Sequence, residues 1–153
     1  MQTKMMNRLF PLLCVALLAV TTSAQFTENE VPAYHPNPPA KGEKLPPVAS
    51  AEQLDQMNLK YDFQRRAYEA AAKVPRVLYQ IPCYCFCDRS EGHKSLHSCF
   101  EGDHGSHCST CMQEAFYAYQ MTKKGKTVKE IREGIMRGDY KIIDLRAMNG
   151  PLA

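Results

Sequence analysis

The sequence predicts a mainly α fold: a small three-helix domain with a Cys/His-rich loop between its first and second helices, preceded by a signal peptide and a proline-rich disordered linker. Three observations predict it. Residues 51–73 contain no glycine or proline and carry apolar side chains at helical spacing. Two shorter stretches, 112–124 and 128–138, repeat that periodicity, with a glycine between them. Between the first stretch and the second, Pro82 to Cys111 reads PCYCFCDRSEGHKSLHSCFEGDHGSHCSTC, which holds six of the chain's seven cysteines and four of its five histidines.

Taken in order, Lys4 and Arg8 form a positive start and Leu9 to Val20 a short apolar run. Thr22-Ser23-Ala24 then supplies small residues, the pattern of a secretory signal (residues 1–24) cleaved near Ala24. An exported protein, periplasmic or secreted, is expected, and the apolar run is too short to leave a stable membrane span. An uncleaved anchor is the alternative. Cys14 lies inside the apolar run after Leu13, not after a small residue, so it belongs to the discarded peptide. Losing Lys4 and Arg8 leaves seventeen of nineteen basic residues against sixteen acidic ones. That near-neutral balance, without a clustered basic face, excludes nucleic acid as a partner. No protein partner is indicated. Outside the cytoplasm the six remaining cysteines are expected to be oxidised or metal-bound. About a hundred residues bury only a limited core, so a covalent or metal staple is expected as well.

Residues 25–50 contain Pro32, Pro36, Pro38, Pro39, Pro46 and Pro47, which predicts an extended, semi-rigid tether with His35 solvated in it. Residues 51–140 form the helical domain. Ser50 and Gln53 offer a capping box for a helix running to Lys73. One apolar stripe carries Leu54, Met57, Tyr61, Tyr68 and Ala71, and a second carries Leu59, Phe63, Ala67 and Ala70. Pro75 ends this helix. Val77 to Ile81 reads as a short connector, strand-like or irregular. Met112, Ala115, Phe116 and Tyr119 mark the second helix, which stops at Gly125. Thr127 and Glu130 form another capping box, followed by the buried positions Val128, Ile131 and Ile135. Residues 141–153 are a tail with no firm assignment.

Cys108 and Cys111 form a C-x-x-C at a helix entry, where unpaired backbone N–H groups favour thiolate. Cys83, Cys85 and Cys87 alternate, so an extended backbone would set them on one side about 7 Å apart. That is about twice the sulfur separation in one tetrahedral metal site. Either the backbone curls to gather them, or each finds a partner elsewhere. Three readings compete: a metal site of thiolates with one or more histidines, three disulfide staples, and a thiol–disulfide exchange protein using the C-x-x-C. The crowded C-x-C-x-C and the interleaved histidines favour the metal. The expected ligands are Cys83, Cys85, Cys87, Cys108 and Cys111, then Cys99 and His97. His93 lies four residues before His97, where a helical turn would put both on one face. His104 and His107 share a glycine-containing loop, one of them a candidate, and His107 directly precedes Cys108. The ion would be zinc or copper(I), with no turnover. Haem attachment is excluded because Met112 follows Cys111, and no phosphate loop, serine elbow or H-E-x-x-H occurs.

The run Pro82-Cys83-Tyr84-Cys85-Phe86-Cys87, with Gly92-His93-Lys94-Ser95-Leu96, Cys99-Phe100 and Cys108-x-x-Cys111, resembles the bacterial PCYCGC-motif, or CYCXC, family of exported proteins and lipoproteins. The likeness extends over about Arg65 to Asp139. It implies an exported protein of uncharacterised activity. Some relatives place selenocysteine at the variable position, which implies redox or soft-metal chemistry. Phe86 there is neither glycine nor a chalcogen residue, so it supplies no ligand, and any backbone geometry that needs glycine is thrown into question. Without a usable lipobox, the resemblance implies a secreted or periplasmic member.

Overall fold

The computed structural model describes residues 31–152, so the expected signal segment and its cleavage site near Ala24 lie outside the described residues. The fold is mainly α: seven α-helices and three 3₁₀ turns, with no strand among the described residues. None of these helices is long and apolar enough to cross a membrane.

The Ser50 cap forms as expected. The Ser50 N–H donates to Gln53 Oε1 at 2.8 Å, and the Ser50 hydroxyl accepts from the Gln53 N–H at 3.4 Å. The helix it starts is short, however: α1 covers Ala51–Gln56, and α2 (Asp62–Lys73) begins only after a break. The expected continuous helix is therefore corrected to two. Asn58 makes the break by adopting φ 49°, a left-handed conformation that asparagine tolerates better than most non-glycine residues. Tyr61, expected on the buried stripe, precedes α2 and is 61% exposed. Leu54, Ala67, Tyr68, Ala70 and Ala71 are buried as their spacing predicts.

Pro75 opens a further single turn, α3 (Pro75–Leu78), so part of the expected connector is helical. The cysteine-rich segment contributes α4 (Cys87–Ser90), a 3₁₀ turn at Leu96–Phe100 and α5 (His104–His107). Then come α6 (Ser109–Lys123) and α7 (Val128–Arg137), the latter capped reciprocally by Thr127 and Glu130. Helix α6 is the hub, in contact with α2, α3, α5, α7 and all three 3₁₀ turns. The tail closes the bundle through 3₁₀ turns at Asp139–Ile142 and Leu145–Asn149. Gln113 Nε2 donates to the Ile143 carbonyl at 2.9 Å, and the Phe63 N–H donates to Asn149 Oδ1 at 3.1 Å.

The stretch expected to be a solvated tether instead lies along the helical body from residue 31 onward. His35 stacks on Tyr79 with ring centroids 3.8 Å apart, and the Arg132 guanidinium covers Tyr34 at 4.8 Å. Arg76 Nη2 donates to the Pro39 carbonyl at 2.8 Å, and the Ala49 N–H donates to the Phe100 carbonyl at 2.9 Å. The physical reason is that prolines leave few amides to satisfy, while their carbonyls still accept from the domain. High proline density alone does not separate a free tether from such a strap.

Tyr68 ties α2 to the cysteine-rich segment. Its hydroxyl donates to the Gly102 carbonyl at 2.7 Å and accepts from the Ser106 N–H at 3.1 Å, and its ring meets Phe100 edge-on. Gly105 lets α5 sit directly on the 3₁₀ turn. A Cβ there would lie 2.8 Å from the Cys99 carbonyl oxygen and 2.9 Å from the Phe100 ring. Gly105→Ala should therefore destabilise the fold by about 1–3 kcal/mol, seen as a lower urea midpoint. An unchanged midpoint would show that α5 shifts freely.

Candidate metal centre

The first three cysteines are gathered by a curled backbone, not by an extended one. The Phe86 N–H donates back to the Cys83 carbonyl at 3.1 Å, closing a tight turn over Tyr84 and Cys85. Phe86 itself takes φ 59°, and Cys87 begins α4 immediately afterwards. A phenylalanine in the left-handed region costs about 1–2 kcal/mol. Contacts on its ring help offset this: the Arg89 guanidinium lies over it at 4.4 Å and Tyr84 meets it edge-on at 5.9 Å. From α6, Glu114 Oε1 accepts from the Tyr84 N–H at 2.9 Å and pins the turn from behind.

The turn brings Cys83 Sγ within 3.3 Å of Cys85 Sγ and 3.4 Å of Cys111 Sγ, and Cys85 and Cys111 lie 3.5 Å apart. Beside them, Cys87 and Cys99 are 3.3 Å apart, with His93 Nδ1 at 3.2 Å from the first and 3.4 Å from the second. His104 Nε2 lies 3.7 Å from Cys85 Sγ, and its ring meets that of His93 edge-on. Four overlapping sets result, within each of which the ligand atoms lie within 4.8 Å of one another: Cys85, His104, Cys108 and Cys111; Cys87, His93, Cys99 and His104; Cys83, Cys99 and Cys111; and Cys83, Cys85 and Cys87. All six described cysteines are free thiols. Their separations far exceed a disulfide bond of about 2.05 Å. They approach the roughly 3.8 Å edge that metal–sulfur bonds of about 2.3 Å give a tetrahedral site. The donor set therefore fits a soft or borderline ion.

Burial divides the cluster. Cys83, Cys87, Cys99 and Cys111 are buried, whereas Cys85, Cys108 and His104 form a half-buried rim and His93 is half-buried beside the inner pair Cys87 and Cys99. Crowding biases the protons as well. Contacts from Cys108, then Cys111 and Cys83, push the Cys85 pKa down and favour its thiolate. Burial opposes protonation of His104, but the Cys85 contact and the charges at Cys87 and Cys85 outweigh it and raise its pKa. Cys108 precedes α6 and Cys111 lies in its first turn, where the helix N–H groups lack intrahelical partners and the dipole favours negative charge.

Two expected ligands are not part of this assembly. His97 is buried but turned away: its Nε2–H donates to the Pro46 carbonyl at 2.9 Å. The expected pairing with His93 needed a helical turn, and the backbone is irregular until the 3₁₀ turn starts at Leu96. His107 is solvent-facing and lies 4.0 Å from Asp103 Oδ2. From that loop it is His104, not His107, that reaches the sulfurs. No local periodicity signals this, because α5 ends at His107 and Cys108 is extended before α6 begins. Glu114 was also missed. It is a fully buried carboxyl on the stripe of Cys111, Ala115 and Ala118, where an acidic residue is out of place.

A family model described as a protein of unknown function with PCYCGC motif matches residues 12–142. The chain belongs to the PCYCGC family. Searches of curated proteins and of solved structures returned no match. The family match reaches beyond residues 65–139 to take in the proline-rich strap, which agrees with that segment being packed onto the helices. The glycine of the PCYCGC motif falls at Phe86, the one residue of the turn with positive φ. Glycine adopts that conformation without the Cβ clash. This member instead holds a phenylalanine there by its ring contacts.

Proposed function

We propose that this PCYCGC protein is an exported holder of a soft or borderline transition metal, zinc or copper(I), bound through clustered thiolates without turnover. The observation that supports it is the convergence of six sulfurs and two imidazoles, from segments up to 28 residues apart, at contact distances. Cys85, Cys108, Cys111 and His104 would make a Cys₃His set, a coordination suited to zinc. The thiolate-rich interior around Cys83 suits copper(I) equally. Ligation displaces protons, most clearly from His104, so affinity should fall in acid. Helix α6 and the Tyr84 turn hold the donors in place before an ion arrives.

The test is elemental analysis with thiol counting on mature, untagged protein purified without oxygen. Stoichiometric zinc or copper is the expected result. Metal-free protein whose cysteines are joined in bonded pairs would overturn the proposal. It would favour the exchange or staple reading.

A further inference from the structure

The cluster contains more donors than one ion can use. A tetrahedral ion takes four ligands, whereas six sulfurs and two imidazoles meet here. With a single ion, buried thiols would be left with only one another as partners. The donors also fall into two groups supplied by different parts of the chain. Cys85, His104, Cys108 and Cys111 come from the Tyr84 turn, α5 and the start of α6. Cys87, His93 and Cys99 come from α4, the loop after it and the 3₁₀ turn, and His104 reaches this group as well as the first. Between the groups lies Cys83. Its sulfur touches Cys85 and Cys111 on one side and falls within 4.8 Å of Cys87 and Cys99 on the other.

We infer that the site takes two ions that share the Cys83 thiolate: a rim ion on Cys83, Cys85, Cys111 and one of Cys108 or His104, and an inner ion on Cys83, Cys87, His93 and Cys99. This rests on the metal-holding reading and adds its stoichiometry and connectivity. A thiolate sulfur has three lone pairs, so Cys83 can complete the inner tetrahedron while it also ligates the rim ion. The sharing reduces the negative charge that must be buried per ion, which matters because Cys83 is itself buried. It also gives the two ions different access. Two of the rim ion's four donors are half-buried, whereas Cys83, Cys87 and Cys99, three of the inner ion's four, are buried. The rim ion therefore exchanges first, and the inner ion leaves only when the segment opens.

The test titrates the reduced full chain with zinc under native mass spectrometry, and separately with cadmium followed by cadmium NMR. Two ions per chain are expected, together with two cadmium signals that are spin-coupled through the common sulfur. Cys83→Ser should cut the zinc stoichiometry from two to one, while His107→Ala keeps two. A chelator should remove the first ion at least tenfold faster than the second. Saturation at one ion, or two cadmium signals without coupling, overturns the sharing and leaves the metal-holding reading standing. The NMR result decides the matter on the unaltered chain even if the serine variant fails to fold. A chain that takes up no ion overturns both.

Discussion

Cys111→Ser is expected to release the rim ion and to lower the unfolding midpoint. Cys111 is fully buried, and its sulfur lies 3.4 Å from Cys83 and 3.5 Å from Cys85. It occupies the first turn of α6, the helix in contact with α2, α3, α5 and α7. A serine hydroxyl is shorter and harder than a thiolate and is a poor ligand for zinc or copper(I). For structural zinc sites, binding contributes about 10–16 kcal/mol that appears as folding free energy. That equals or exceeds the whole net stability of a typical domain, about 5–15 kcal/mol. Thermal melts with and without chelator check this: the wild-type midpoint should fall on chelation, whereas the serine variant should start lower and shift less. His107→Ala, altering an exposed side chain, should behave like the wild type. Retention of the full wild-type metal content by the serine variant would remove Cys111 from the site.

Stability should also fall as pH rises from about 4.5 to about 8, and Glu114→Gln should flatten that slope. Burial lifts the Glu114 pKa to about 8, with the neighbouring Cys83 thiol and the hydrogen bond from the Tyr84 N–H only partly opposing the lift. The folded chain therefore keeps a proton that the unfolded chain has released above pH 4.5. Folding is favoured fully below that value and progressively less up to about 8, by at most roughly 1.4 kcal/mol per pH unit. Glutamine retains an oxygen to accept from Tyr84 and has no proton to lose. Other groups titrate in the same range, so the informative quantity is the difference between wild type and variant at each pH, from urea unfolding. A zero difference in slope would show that Glu114 is not protonated in the folded chain. Glu114→Ala would leave the Tyr84 N–H without its acceptor, a loss of about 1–3 kcal/mol, and would loosen the turn that carries Cys83 and Cys85.

The parts of the fold that were readable in advance are those decided within one or two turns of chain. The box at Thr127 and Glu130 and the spacing of Ile131 and Ile135 specify α7, and all of them behave as their positions predict. The two-part nature of the first helix was less readable. Asn58 breaks it through a left-handed conformation that asparagine tolerates without requiring. The same holds for Phe86, whose conformation depends on Arg89 and Tyr84 as much as on its own preferences.

By itself the sequence determined a mainly helical chain, membership of the PCYCGC family and the supply of thiol and imidazole side chains, because these reside in residue identity and local periodicity. Only the tertiary structure decided that His93 and His104 face the sulfurs while His97 binds the Pro46 carbonyl, and that Glu114 lies beneath the Tyr84 turn. It likewise decided that the prolines form a strap and not a tether. The physical reason is that each of these outcomes depends on a contact partner distant in the chain. Proximity of that kind is created by packing α2 and α6 against the cysteine-rich segment and is absent from any local window of sequence.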